Sequence, residues 1–108
     1  MGEIGDRAAE VSIDTRVDPT GVPIVTLAGE LDTSNAASLE ATIAATVAER
    51  PERLIFDLSG LRFIDSAGIA VLVGATAKVN TVQLRDPSQV VRRVIELTGL
   101  SGVLPIES

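Results

Sequence analysis

The residues in this chain best suited to chemistry are Asp65-Ser66-Ala67-Gly68, an acid and a hydroxyl followed by two small residues. They fall where an apolar run, Leu54-Ile55-Phe56-Asp57-Leu58, and a short turn give way to a stretch rich in Ala and Val. Strand, turn and helix in that order put the Ser66 hydroxyl at a helix N-terminus, where unpaired backbone N–H groups and the helix dipole favour negative charge. Ser66 then either caps its helix or accepts a phosphate, which such a terminus suits. In the second case Ala67 and Gly68 leave the hydroxyl open to a kinase. A second acid and hydroxyl group, Asp32-Thr33-Ser34, stands before the preceding helix and reads by itself as ordinary helix-start chemistry.

Composition removes most alternatives. The 108 residues contain no Cys and no His, which excludes disulfides, thiol nucleophiles, histidine bases and the usual zinc ligand sets. Nucleophilic triads are excluded with them. No nucleophile–base pair, metal set or Gly-rich phosphate loop is present, so the chain is expected to be no enzyme and to need no cofactor or metal. A formal charge of −6 with only 9 basic residues argues against nucleic acid and against an anionic membrane surface, and leaves proteins as partners. No basic and apolar leader is present, and the most apolar stretch, Ile64 to Ala77, is shorter than the ~20 residues of a membrane span. The expected location is therefore cytoplasmic.

The elements that must position Ser66 follow from periodicity. Met1 to Glu10 reads as a flexible N-terminus, and residues 11–106 as one domain. Val11 to Asp14 and Val25 to Leu27 alternate like half-buried strands, and Asp18-Pro19-Thr20-Gly21 between them predicts a hairpin. Ala36, Leu39, Ile43 and Val47 form one helical stripe that ends before Pro51. The run from Leu54 to Leu58 predicts a strand covered on both faces, with Asp57 bonding loop backbone at its end. A second helix, about Ala67 to Val79, is apolar almost all round, so Ile69, Val73 or their neighbours are expected to form an exposed docking patch beside Ser66. Thr81 to Arg85 is a short strand. Ser88 caps a third helix with the apolar face Val90, Val91, Val94, Ile95 and Leu97, and Gly99 ends it in a left-handed turn. Val103 to Ile106 predicts a last edge strand. Alternation of this kind predicts a layered α/β domain with a mixed, mostly parallel sheet of four to five strands. Functional loops should then gather at the carboxyl ends of the strands, here Gly29–Ser34 and Ser59–Gly68.

Three segments carry a family resemblance. Leu27-Ala28-Gly29-Glu30-Leu31-Asp32, the run from Leu54 through Asp65-Ser66-Ala67-Gly68 to Ile69, and Arg92 to Leu100 resemble, in one collinear order, segments of STAS domains. The short form with Asp-Ser before a small residue and Gly is similar to bacterial anti-sigma factor antagonists. The link Ala77 to Thr81 departs from that family in being short and in lacking a Gly-rich turn, so the second helix is expected to lose about a turn.

The resemblance implies a partner switch. The unphosphorylated protein would bind an anti-sigma factor that is also a serine kinase, freeing a sigma factor. The kinase would phosphorylate Ser66 and end the interaction, and a serine phosphatase would reverse it. Asp32, with Thr33 and Ser34, would lie beside Ser66, and the protein would be a monomer or weak dimer. A receiver domain phosphorylated on Asp57 is the weaker rival, since no acidic pair accompanies it and Lys78 is the only lysine. A non-switching adaptor subunit of a transport complex is the closer one, because it would keep the same fold.

Overall fold

The computed structural model describes residues 10–100 and 102–107. The flexible N-terminus expected for Met1 to Glu10 therefore lies outside the described residues except at Glu10, whose carbonyl accepts the Glu30 N–H at 2.9 Å.

The predicted hairpin is present. β1 (Val11–Val17) pairs antiparallel with β2 (Pro23–Leu31), from Val11 opposite Gly29 to Val17 opposite Pro23. Asp18 organises the turn. One of its carboxylate oxygens accepts from the Thr20 hydroxyl at 2.6 Å, the Thr20 N–H at 2.8 Å and the Val22 N–H at 3.0 Å. These bonds, the Thr20 hydroxyl first, hold its carboxyl below the ordinary carboxylate range because they stabilise the ionised form.

From β2 the chain alternates α1 (Ala36–Val47), β3 (Arg53–Ile64), α2 (Ser66–Ala75), β4 (Thr81–Arg85), α3 (Gln89–Leu97) and β5 (Ile106–Glu107). The sheet order is β1-β2-β3-β4-β5, with every pair after the first parallel. Each crossover from β2 onward moves one strand in the same direction. Right-handed connections must then put all three helices on one face. The core agrees: Leu27, Leu54, Phe56 and Leu84 form a single cluster with Leu39 and Ile43 of α1, Leu72 of α2, and Val91 and Ile95 of α3.

Several elements differ from the sequence reading. β3 is covered by helices on one face only. Its outward Ile55 is nonetheless buried, in register with Ile24 of β2, and beside them Arg53 donates to the Gln83 side chain. β3 is also longer than Leu54–Leu58, running through Ser59 and Gly60 to Ile64. Register shifts between Thr26 and Ala28 and between Gly29 and Glu30 keep the two strands together past Asp57, whose carboxylate accepts the Ser59 N–H and hydroxyl. α2 stops at Ala75 instead of Val79, a turn early, with the Thr76 hydroxyl bonding back to the Val73 carbonyl.

In α3 the Ser88 hydroxyl accepts from the Val91 N–H, and Gly99 adopts φ +76°, both as predicted. Its buried side is narrower than the apolar face suggested: Val91 and Ile95 are inside, while Val90 and Leu97 are exposed. The last strand is Ile106–Glu107, with Leu104 in the core and Val103 exposed.

Candidate functional site

The site forms where β2 and β3 end side by side. Leu31 and Ile64 are in register, both fully buried, and the Asp65 N–H donates to the Leu31 carbonyl at 3.2 Å. This pairing places the residues that follow, Asp32 to Ser34 and Asp65 to Gly68, as neighbours at one end of the sheet. The two sequence-predicted loops are thus brought together. The second is much shorter than Ser59–Gly68, because β3 extends to Ile64 and α2 begins at Ser66.

Asp65, not Ser66, caps α2. It has extended backbone geometry, and its Oδ1 accepts the N–H of Ala67 at 2.9 Å and of Gly68 at 3.1 Å. Its carbonyl accepts the Ile69 N–H, so the N–H groups of Ala67, Gly68 and Ile69 are satisfied without the serine hydroxyl. Ser66 occupies the first helical position, is exposed, and its hydroxyl has no partner among the described residues. The helix terminus expected to suit a phosphate is thus partly occupied, since the Asp65 carboxylate already uses the Ala67 and Gly68 N–H groups.

Asp32 is engaged within its own loop. Its Oδ1 accepts the Ser34 N–H at 2.9 Å and the Ser34 hydroxyl at 2.6 Å, and its carbonyl accepts from Asn35 and Ala36. Asn35 locks the turn, accepting the Asp32 N–H and donating to the Glu30 carbonyl. Thr33 links the loops: its hydroxyl donates to Asp65 Oδ2, at a long 3.5 Å.

Two further expectations change. Gly68 does not serve to clear the approach to Ser66. It is buried, and a Cβ there would lie 2.8 Å from Ile64 and Leu31 side-chain atoms, so its smallness lets α2 rest on the strand ends. Ile69 is not an exposed patch residue, being only 4% exposed and part of the core cluster. The outward side of α2 is instead carried by Ala70, Val73 and Gly74. With Ser66, the edge of Ile69, Thr98 and Leu100 they line an open, mostly apolar groove of about 450 Å³ between α2 and the end of α3. Ser66 sits at its rim.

Sequence reasoning missed Phe63. It is 43% exposed, two residues before the cap, at the strand end opposite Glu30. The signal available was scarcity: the chain has only two aromatic residues, and this one adjoins Ile64-Asp65-Ser66. Beside it Arg62 and Glu30 form an exposed ion pair at 3.5 Å.

Among the described residues no cluster of acids could hold a metal ion, and no helix is long and apolar enough to cross a membrane. A strand-end site of this kind, on a one-sided α/β sheet, defines the class. Residues 12–108 match the STAS domain, and the chain belongs to that family. It is 36% identical over 89 residues to the anti-sigma-F factor antagonist RsfB of Mycobacterium tuberculosis, covering 80% of this chain and 73% of that protein. The crystal structure of an anti-sigma factor antagonist from Mycobacterium paratuberculosis superposes with a TM-score of 0.82 at 32% identity, covering 90% of this chain and 85% of the other. The unphosphorylated form of the anti-sigma factor antagonist SpoIIAA shares the fold, with a TM-score of 0.76 at 22% identity over 90% of this chain and 89% of that one.

Proposed function

We propose that this protein is an anti-sigma factor antagonist of the partner-switching kind, with Ser66 as its regulatory residue. Unphosphorylated, it docks on an anti-sigma factor that is also a serine kinase, and so frees a sigma factor in the cytoplasm. The kinase transfers the γ-phosphoryl group of ATP to Ser66 Oγ, the hydroxyl loses its proton and ADP leaves. A serine phosphatase removes the phosphate and resets the switch. The protein acts in this cycle as ligand and substrate, not as an enzyme.

The observation that carries the reading is the division of labour between Asp65 and Ser66. The acid caps the helix, which leaves the serine exposed, with no hydrogen bond among the described residues and without a structural task. The names of the relatives support the general role. A phosphate on Ser66 would bring close to two negative charges to the rim of the apolar groove. The Ala67 and Gly68 N–H groups are already bonded to Asp65, so they are not free to hold it. Its charge faces outward and acts on whatever occupies the groove, through repulsion and through the cost of desolvating it. Val73, Ala70 and Gly74 would supply the apolar contact, and Phe63 and Thr33 would flank it.

The test combines phosphorylation and binding. Incubated with its cognate anti-sigma kinase and ATP, the wild type should gain one phosphate by intact-mass measurement and Ser66→Ala none. Calorimetry should show Ser66→Ala binding the kinase like wild type and Ser66→Asp binding at least ~10-fold more weakly, the effect of about 1.4 kcal/mol. Wild-type affinity in Ser66→Asp would sink the repulsion mechanism.

A further inference from the structure

The two edges of the sheet are finished differently. At one end β5 has only two residues and follows Pro105, so that edge is short and blunted. At the other end β1 runs for seven residues, Val11 to Val17, without proline, lysine or a bulge. Among the described residues, its outer side has no neighbouring strand.

The hydrogen-bonding phase of that edge follows from its flanks. Glu30 donates to the Glu10 carbonyl and Asp18 to the Val22 carbonyl, so even-numbered residues of β1 form the hydrogen-bonded pairs with β2. Pro23 agrees with this phase, since it stands opposite Val17, where β2 needs no N–H. The N–H and C=O groups of Ile13, Thr15 and Val17 therefore point away from β2.

We propose that a second copy of this chain pairs with this edge, β1 against β1 and antiparallel, about a two-fold axis at Thr15. In that register Thr15 meets Thr15 of the other copy and Ile13 meets Val17, in hydrogen-bonded pairs that use every outward group from 13 to 17. Asp14 meets Arg16 in the close, non-hydrogen-bonded pairs between them, twice by symmetry. Neither side chain has a partner among the described residues. On the other face Ile13 meets Val17, which is 63% exposed in the single chain. The neighbouring two-fold registers place Asp14 on Asp14 or Arg16 on Arg16, so like charges exclude them. A strand whose charges and apolar residues complement its own reversed copy fits a self-pairing interface.

The result is one continuous sheet of ten strands, with all the helices on a single face. The axis exchanges the strand ends, so the two Ser66 sites lie at opposite ends of the sheet and both stay open. The dimer is thus a bivalent ligand. Pairing is independent of the reading of Ser66 and should survive its substitution.

Sedimentation equilibrium on the full chain tests this, with a dimer expected to dissociate at or below about 1 mM, as suits an interface this small. Thr15→Pro removes an N–H that β2 does not use, so it should abolish the dimer while leaving the melting temperature near that of wild type. Asp14→Arg and Arg16→Asp should each weaken dimerisation at least ~10-fold through like-charge contacts, and the double exchange should restore it. Ser66→Asp should dimerise like wild type. Monomeric wild type at about 1 mM, a dimer that persists in Thr15→Pro, or a double exchange that fails to restore pairing would each overturn the proposal. Persistence in Thr15→Pro would point instead to another surface, such as the exposed Val90 and Leu97 of α3.

Discussion

At the scale of single residues, the motif Asp65-Ser66-Ala67-Gly68 separates into three tasks that its letters do not distinguish. Asp65 closes the helix, Ser66 stands exposed beside it with no bond among the described residues, and Gly68 sets the distance between α2 and the strand ends. The last of these gives a prediction that needs no partner. A Cβ on Gly68 would stand 2.8 Å from Leu31 and Ile64 side-chain atoms, so these buried side chains, 1% exposed or less, must shift to admit it. Overpacking of this kind costs about 1–3 kcal/mol, and the helix preference of Ala returns at most ~1. Gly68→Ala should therefore destabilise the fold by about 1–2 kcal/mol net, a melting temperature lower by roughly 5–10 °C in calorimetry. Were Gly68 present only to admit a kinase, the melting temperature would hold and only phosphorylation would slow. The cap was legible as a position but not as a residue. Asp and Ser are both good N-caps, and the choice depends on where β3 ends, which is set by its pairing with β2 and not by local sequence.

Among the elements, periodicity served best where a helix has one buried stripe. Ala36, Leu39 and Ile43 of α1 lie inside as their spacing predicts. It served least well in β3, where Ser59 and Gly60 look like a turn yet continue the strand, because two register shifts against β2 absorb the irregularity. Those shifts depend on a partner strand some thirty residues away, so nothing in the local run announces them. In α2 the excess of apolar residues correctly signalled that one face stays outside. It did not say which, and Ile69 belongs to the core while Val73 and Gly74 face the groove. Gly74 is the informative position in this helix. A Cβ there would touch nothing within 4 Å, and although Gly74 lies in the last turn of α2, replacing an exposed helical Gly by Ala gains up to about 0.5–1 kcal/mol. The same methyl group would stand in the groove. Gly74→Ala should raise the melting temperature by roughly 2–6 °C and still weaken binding of the anti-sigma kinase several-fold, by about 1 kcal/mol. Stability and affinity moving in opposite directions would locate the contact on α2. Unchanged affinity would move it elsewhere on the strand-end surface, with Phe63 the next residue to replace.

Over the whole molecule, the single helical face would let the proposed switch at Ser66 act on binding without reshaping the fold. All three helices rest on one apolar cluster, and Ser66 lies outside it. A new charge at Ser66 therefore meets solvent, the Asp65 carboxylate and the groove, but no core side chain. Its effects on folding oppose one another. An acid in the first turn gains about 0.3–1 kcal/mol from the helix dipole, and repulsion from Asp65, itself partly exposed, returns a similar small amount. Ser66→Asp should accordingly unfold within about 0.5 kcal/mol of wild type in urea, with the same slope. Amide shifts in its NMR spectrum should be confined to residues near the start of α2 and the Asp32 to Ser34 loop. A loss of several kcal/mol, or shifts spread through β4 and α3, would mean that the switch works by loosening the fold. Binding should respond differently, weakening at least ~10-fold with the same substitution.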